Sequence, residues 1–168
     1  SSGGSSSVTY AVGDTGPGEG LVFLISGGLT YEMAKKTWSG GIEDPSAAWC
    51  DDTSTILAGT FGTAIGTGAQ NTEWMDDGCT SGAGQQAADY VAGGYSDWFL
   101  PSEDELNAMN GYKNSIVYQA KYGIASDGYW SSSQANASEA RYQKLNDNGG
   151  RYDAPKDAKL RVRPVRAF

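Results

Sequence analysis

The sequence has no histidine, only two cysteines and only three methionines in 168 residues. Without histidine no side chain has an ordinary pKa near neutrality, so Ser-His-Asp and Cys-His catalysis and imidazole-ligated zinc are excluded. Cys50 and Cys79 form no CxxC pair, which removes the usual thiolate metal motifs as well. Nothing approaches the roughly 20 apolar residues of a membrane span, and the run Leu21–Ile25 is only strand-sized, so no membrane insertion is expected. Basic residues are also scarce. Twelve Lys and Arg stand against twenty Asp and Glu, and a formal charge of −8 repels a phosphate backbone, which argues against nucleic acid as a partner.

What is present is glycine, 24 residues of it, with a hydrophobic fraction of 39%. Such a composition places much of the chain in turns and irregular segments joining short elements, and speaks against a helical bundle. The length fits one domain. Charge is unevenly spread: residues 139–168 hold eight of the twelve basic residues but four of the twenty acidic ones. A basic C-terminal part on an acidic body is either a recognition surface or internal charge balance, and composition leaves both open. A Cys50–Cys79 disulfide would suit an extracellular protein and contribute about 3 kcal/mol by loop closure, two buried thiols being the alternative.

Along the chain, residues 1–9, opening with Ser1–Ser7, read as a flexible linker or processed N-terminus, with the folded domain over 10–168. Val8–Val12 suggests a first strand, Gly13-Asp14-Thr15-Gly16-Pro17-Gly18 a turn, and Leu21–Ile25 a central strand buried on both faces. The glycines of this turn precede a strand instead of leading into a helix, so they are not read as a phosphate cradle. Trp38, Trp49 and Phe61 anchor a long irregular stretch. Short helices are expected from Asn71 to about Gly78 and over Gln85–Val91. Ser102 and Glu105 have the spacing of a capping box, so a helix starts at Ser102, with Leu106 and Met109 on its buried face. The trio Glu103, Asp104 and Glu105 then serves the helix start and not catalysis. Ala140–Leu145 and Leu160–Phe168 read as strands, the second with one buried and one charged face and with Pro164 at an edge or bulge.

Five ordered blocks carry a resemblance: Gly13–Gly18 before Leu21-Val22-Phe23; Ile65-Gly66-Thr67-Gly68 with Asn71-Thr72; Gly94-Tyr95-Ser96-Asp97-Trp98-Phe99-Leu100-Pro101-Ser102 with Glu105-Leu106; Tyr129-Trp130-Ser131-Ser132-Ser133; and Val162–Phe168. Over roughly residues 10–168 the chain resembles the C-terminal domain of the Legionella collagen-like adhesins. Its last two blocks are also similar to the retroelement-diversified variable proteins of phage tails and bacterial surfaces. The resemblance implies an α+β, C-type-lectin-like fold, with a twisted antiparallel sheet, two main helices and long irregular loops. It also strengthens the Cys50–Cys79 disulfide. It implies that Trp98, Trp130 and Phe168 fill the core, that Asp97 and Ser131–Ser133 satisfy buried polar groups, and that Arg163 and Arg166 pair with acidic residues.

The ligand surface would then lie between the last two blocks, at Gln134, Asn136, Ser138, Arg141, Gln143, Asn146, Asn148, Arg151 and Tyr152. The expected function is binding, of a cell-surface glycan or protein receptor, on a cell or virion surface and in several copies, a homotrimer or other homo-oligomer. A pilin-like or decoration subunit is the alternative. Formylglycine-generating enzymes share a related fold, but neither cysteine here lies in a comparable context, so no enzyme is expected. The calcium motifs of glycan-binding C-type lectins are missing. Asp51, Asp52, Asp76 and Asp77 leave calcium open as a cofactor through their oxygens, against the ordinary reading of solvated aspartates.

Overall fold

The computed structural model describes residues 8–168. The serine-rich opening Ser1–Ser7 lies outside the described residues. The fold is α+β. A three-stranded sheet, in the order β1-β2-β8, comprises Leu21–Ser26 (β1), Leu29–Met33 (β2) and Val165–Ala167 (β8). A five-stranded sheet, in the order β3-β7-β4-β5-β6, comprises Ser46–Ala47 (β3), Leu160–Arg161 (β7), Gly128–Gln134 (β4), Glu139–Lys144 (β5) and Arg151–Pro155 (β6). Neighbours are antiparallel except β4 and β7, which meet in parallel at Tyr129 and Arg161. Among the described residues four α-helices and one 3-10 turn (Lys113–Ser115) complete it, the α-helices being Gly68–Gly78 (α1), Ala83–Ala88 (α2), Glu103–Tyr112 (α3) and Gln119–Tyr122 (α4).

β1 and β2 form a two-residue hairpin through Gly27 and Gly28, whose φ values of 59° and 79° are both left-handed, as the tightest hairpin turns require. β1 enters the core as expected through Leu21, Val22 and Phe23, but it is not buried along its whole length. It is the edge of its sheet, and Ile25 is 48% exposed while Leu21 and Val22 are fully buried. The loop before it, and not another strand, covers its outer side, with Gly13 N–H donating to Val22 C=O and Val22 N–H to Asp14 C=O. Val8–Val12 forms no strand either. Its backbone folds into a turn closed by Asp14, and Val8 and Val12 face solvent.

β4 is buried at every residue and divides the interior. Tyr129 joins one core with Leu21, Tyr31, Met33, Leu106, Met109 and Val165. Trp130, its neighbour in sequence, points to the other face and joins a second with Trp49, Met75, Leu100, Val162 and the cysteines. This follows from strand geometry, in which successive side chains alternate between faces. The second core is closed by the Cys50–Cys79 disulfide, as expected.

α3 begins as its sequence indicates. Ser102 Oγ accepts from Glu105 N–H and the Glu105 carboxylate accepts from Ser102 N–H, and Leu106 and Met109 are buried. α1 instead starts three residues before Asn71, without a side-chain cap, and Asn71 and Thr72 are buried within it. Gly68 opens it because a Cβ there would meet the Glu105 carboxylate and the Ser102 backbone. α2 likewise starts two residues early, at Ala83, and ends at Ala88.

The single C-terminal strand expected over Leu160–Phe168 is two strands in two sheets, parted at Val162-Arg163-Pro164. Nor is one face charged and open: Val162 through Arg166 are all buried. Phe168, expected in the core, is only half-buried, stacked edge-on against Tyr10 at 5.4 Å.

Candidate ligand-binding face

The ribbon β5–β6 carries most of the predicted ligand residues, and β4 holds it in place. The polar side chains of β4 are consumed within the fold, Ser131 bonding to the ribbon and the others to neighbouring segments. Ser131 Oγ donates to Arg141 C=O, Ser133 Oγ donates to Gly62 C=O and accepts from Glu103 N–H, and Ser132 Oγ accepts from Asn71 Nδ2. Trp49 Nε1 donates to Ser131 C=O and Trp130 Nε1 to Ala47 C=O, both at 2.8 Å. Two buried tryptophans thus dock without leaving a donor unpaired.

Gln134 is fully buried, which corrects its assignment as a ligand contact. Four residues after Trp130 on a strand buried on both faces, it turns its side chain toward the same core as Trp130. There Oε1 accepts from Leu57 N–H at 3.0 Å and Lys156 Nζ at 2.6 Å, and Nε2 donates to Leu57 C=O and Thr60 Oγ1. Lys156 is itself buried over the Trp49 ring, and desolvation pushes its pKa down. Gln143 is corrected likewise: it is 1% exposed, and Nε2 donates to Asn107 Oδ1 and Gly149 C=O.

Asn136, Ser138 and Asn146 reach the surface but shape turns. Asn136 Oδ1 accepts from Ser138 N–H, Ser138 Oγ and Glu139 N–H, and Asn146 Oδ1 accepts from the N–H groups of Asn148 and Gly149. Arg141 and Arg151 lie on the ribbon face toward α3, where Arg141 Nε is 3.5 Å from Glu103 and Arg151 Nη1 is 3.3 Å from Glu103 and 3.1 Å from Asp104. Asn148 and Tyr152 remain exposed, Tyr152 by 50%.

The opposite face of the ribbon joins the predicted Tyr152 to two residues that sequence reading missed, Tyr142 and Lys144. Tyr142 and Tyr152 are cross-strand partners with ring centroids 5.6 Å apart, Trp130 backs Tyr142 edge-on, and Lys144 Nζ lies 5.7 Å from the Tyr152 ring centre. Gly150 and Gly128 make room for the two phenols, since a Cβ at either would press on a tyrosine ring. The signal was the alternation in β5: with Gln143 inward, Tyr142 and Lys144 must face the other way.

The arginines of the basic C-terminal segment serve internal charge balance. Arg163 is 1% exposed, its Nε and Nη2 reaching Asp44 at 2.6 and 2.8 Å, while Tyr129 OH and Trp38 Nε1 also donate to that carboxylate. Burial, then the Asp44 charge, raises the Tyr129 pKa well above the ordinary phenol range. Arg166 pairs with Asp97 at 2.5 Å and faces buried Glu32 at 3.8 Å, and Arg161 bridges Glu43 and Asp127. All five arginines of residues 139–168 are therefore paired.

Of the four aspartates considered for calcium, Asp51 accepts from Thr80 Oγ1 and N–H and from Ser81 N–H, bonds that hold its pKa down, and Asp52 accepts from Ser54 N–H. Asp76 and Asp77 stand apart from them, exposed at the end of α1. Cys50, Asp51 and Cys79 cluster within 4.8 Å, but both sulfurs are committed to the disulfide and cannot ligate as thiolates. Among the described residues no helix is long and apolar enough to cross a membrane. Neither a family model nor a curated protein matches the sequence.

Proposed function

We propose that this chain is a C-type-lectin-like binding module of a cell or virion surface, which recognises a glycan or protein receptor through the outer face of β5–β6. It acts by recognition and not by catalysis. The observation that carries this reading is the Tyr142–Tyr152 pair, displayed on a ribbon whose inner neighbour β4 is wholly buried. Tyrosine offers large contact area with few rotatable bonds and a hydroxyl for hydrogen bonding, so it binds at low entropic cost when its backbone is fixed. Lys144, over the Tyr152 ring, supplies a charged group beside the pair. Display in several copies, as a homotrimer or other homo-oligomer, would multiply a weak contact by avidity.

Self-assembly into a pilin-like or decoration lattice is the second reading, favoured by the open outer edge of β6. That edge is blunted, however, by the charges of Arg151 and Asp153 and by Pro155, which has no N–H to donate.

The test is binding of a tetrameric, fluorescently labelled form to a printed glycan panel and to intact cells. Tyr152→Ala combined with Lys144→Ala is expected to remove the signal while the melting temperature stays unchanged. Unaltered binding by this variant would sink the assignment of the face.

A further inference from the structure

The arginines pair with acids of the fold, but most of the lysines do not, and these gather in one place. Lys35, Lys36, Lys113 and Lys121 are four of the seven lysines, and among the described residues none of them has a carboxylate partner. The segments that carry them touch. Lys36 N–H donates to Lys121 C=O, Gln119 Nε2 donates to Lys113 C=O, and Lys36, Glu43, Gln119 and Ala125 line one cavity of about 190 Å³. The bordering acids do not neutralise the lysines: Glu43 and Asp127 are held by Arg161 and Asp44 by Arg163. Glu19, whose C=O accepts from Tyr122 OH, stands nearby without an ion pair.

The same region carries apolar side chains that stand in solvent. Ile42, directly before the cavity residue Glu43, is 84% exposed, and Val117 and Tyr118, directly before the cavity residue Gln119, are 69% and 56% exposed. Gly40, at a φ of 91° that favours glycine, closes the turn before Ile42. The mixture sets what fits. A soluble polyanion satisfies the lysines but offers nothing to Ile42 and Val117. An apolar protein groove takes the aliphatic side chains but desolvates the lysines without a partner. The boundary of an anionic bilayer meets both needs: lipid phosphates face the ammonium groups, aliphatic side chains enter the acyl margin, and a tyrosine ring sits at headgroup level. The formal charge of −8 does not prevent this, because charges beyond a Debye length, roughly 8 Å at physiological salt, are screened.

We infer that this surface is a peripheral docking face for an anionic lipid bilayer, with the four lysines on lipid phosphates and Ile42, Val117 and Tyr118 in the headgroup boundary. The contact is with the bilayer surface and no helix enters it, none of the described helices being long and apolar enough to cross. Tyr142, Lys144 and Tyr152 of the ribbon take no part, so this contact and recognition by β5–β6 are independent.

The experiment sediments the whole chain with vesicles of phosphatidylcholine and phosphatidylglycerol, and with vesicles of phosphatidylcholine alone, at low and at physiological salt. Binding to the anionic vesicles only, weakened by added salt, is expected. Lys113→Glu with Lys121→Glu should weaken it about 25-fold or more, at about fivefold per lysine. Ile42→Ser with Val117→Ser should weaken it about tenfold or more. Circular dichroism and melting temperature confirm that each variant is folded. Tyr152→Ala should leave vesicle binding unchanged, since these vesicles present neither glycan nor protein receptor; loss of signal on a glycan panel and loss of vesicle binding are then separate results. Absence of binding to the anionic vesicles overturns the inference, as does equal binding to the neutral ones or binding that survives the lysine reversals. Binding that needs the lysines but not Ile42 and Val117 overturns it too, and makes the face a contact for soluble polyanions.

Discussion

β4 and the β5–β6 ribbon are neighbours in one sheet and are both rich in polar residues, yet they treat those residues in opposite ways. In β4 every residue is buried, and Ser131, Ser132, Ser133 and Gln134 each bond to a partner elsewhere in the fold. In the ribbon the face toward α3 spends its arginines on half-exposed ion pairs, while the opposite face leaves Tyr152 and Lys144 open. Polarity alone therefore says little about display. What separates frame from displayed surface is whether removing a side chain strands a buried partner.

That contrast can be broken most severely at Trp130. Trp130→Ala empties the second core beside Trp49 and deletes the bond to Ala47, and should cost about 4 kcal/mol in chemical denaturation. Gln134→Ala comes next: it strands Leu57 N–H in the interior, leaves Lys156 Nζ with Thr55 C=O alone, and should cost about 3 kcal/mol by the same measurement. If Gln134→Ala proves neutral, Gln134 is no part of the frame.

A smaller effect tests the buried carboxylates. Glu32 is fully buried, and desolvation raises its pKa above 4.5 despite opposition from Arg166 and from the backbone N–H groups of Gly18 and Gly20. The folded state therefore holds this proton more tightly than the unfolded one, so the contribution of Glu32 to stability is greatest below its unfolded pKa and falls as pH rises toward the folded value. Glu32→Gln should flatten the dependence of the denaturation midpoint on pH from about 4.5 upward. An unchanged slope would assign the pH dependence to other groups, Glu105 first, whose pKa burial also raises. The smallest effect belongs to the ribbon: Arg141→Ala with Arg151→Ala should cost under about 1 kcal/mol, because exposed ion pairs are screened and entropically expensive. A larger loss would make the ribbon part of the frame.

The local signals in the sequence were readable. Ser102 and Glu105 announced α3 because a capping box needs only four consecutive residues, and the pairing of Cys50 with Cys79 needed only two sulfurs and no competitor. Arg163 and Arg166 were expected to find acidic partners and do so, although Asp44 and Asp97 are named only by the fold. What escaped were features set by distant contacts. α1 starts at Gly68 because Glu105, 37 residues later, packs on that glycine. Gln134 and Gln143 looked like surface residues because an amide reads as polar, and the burial of both faces of β4, which encloses Gln134, is set by distant segments and leaves no mark in the local sequence. Tyr142 was passed over for the same reason: without the register, the outward side of β5 could not be distinguished.

The break at Val162-Arg163-Pro164 has a consequence for how the chain reaches this state. β2 finds its partner β8 more than 130 residues further on, and the same short stretch supplies β7 to the other sheet. Until residues 160–167 have left the ribosome, neither sheet has all its strands and the Asp44 carboxylate lacks its guanidinium. Completion of both sheets thus waits on one segment, with the slow kinetics that such distant pairings impose.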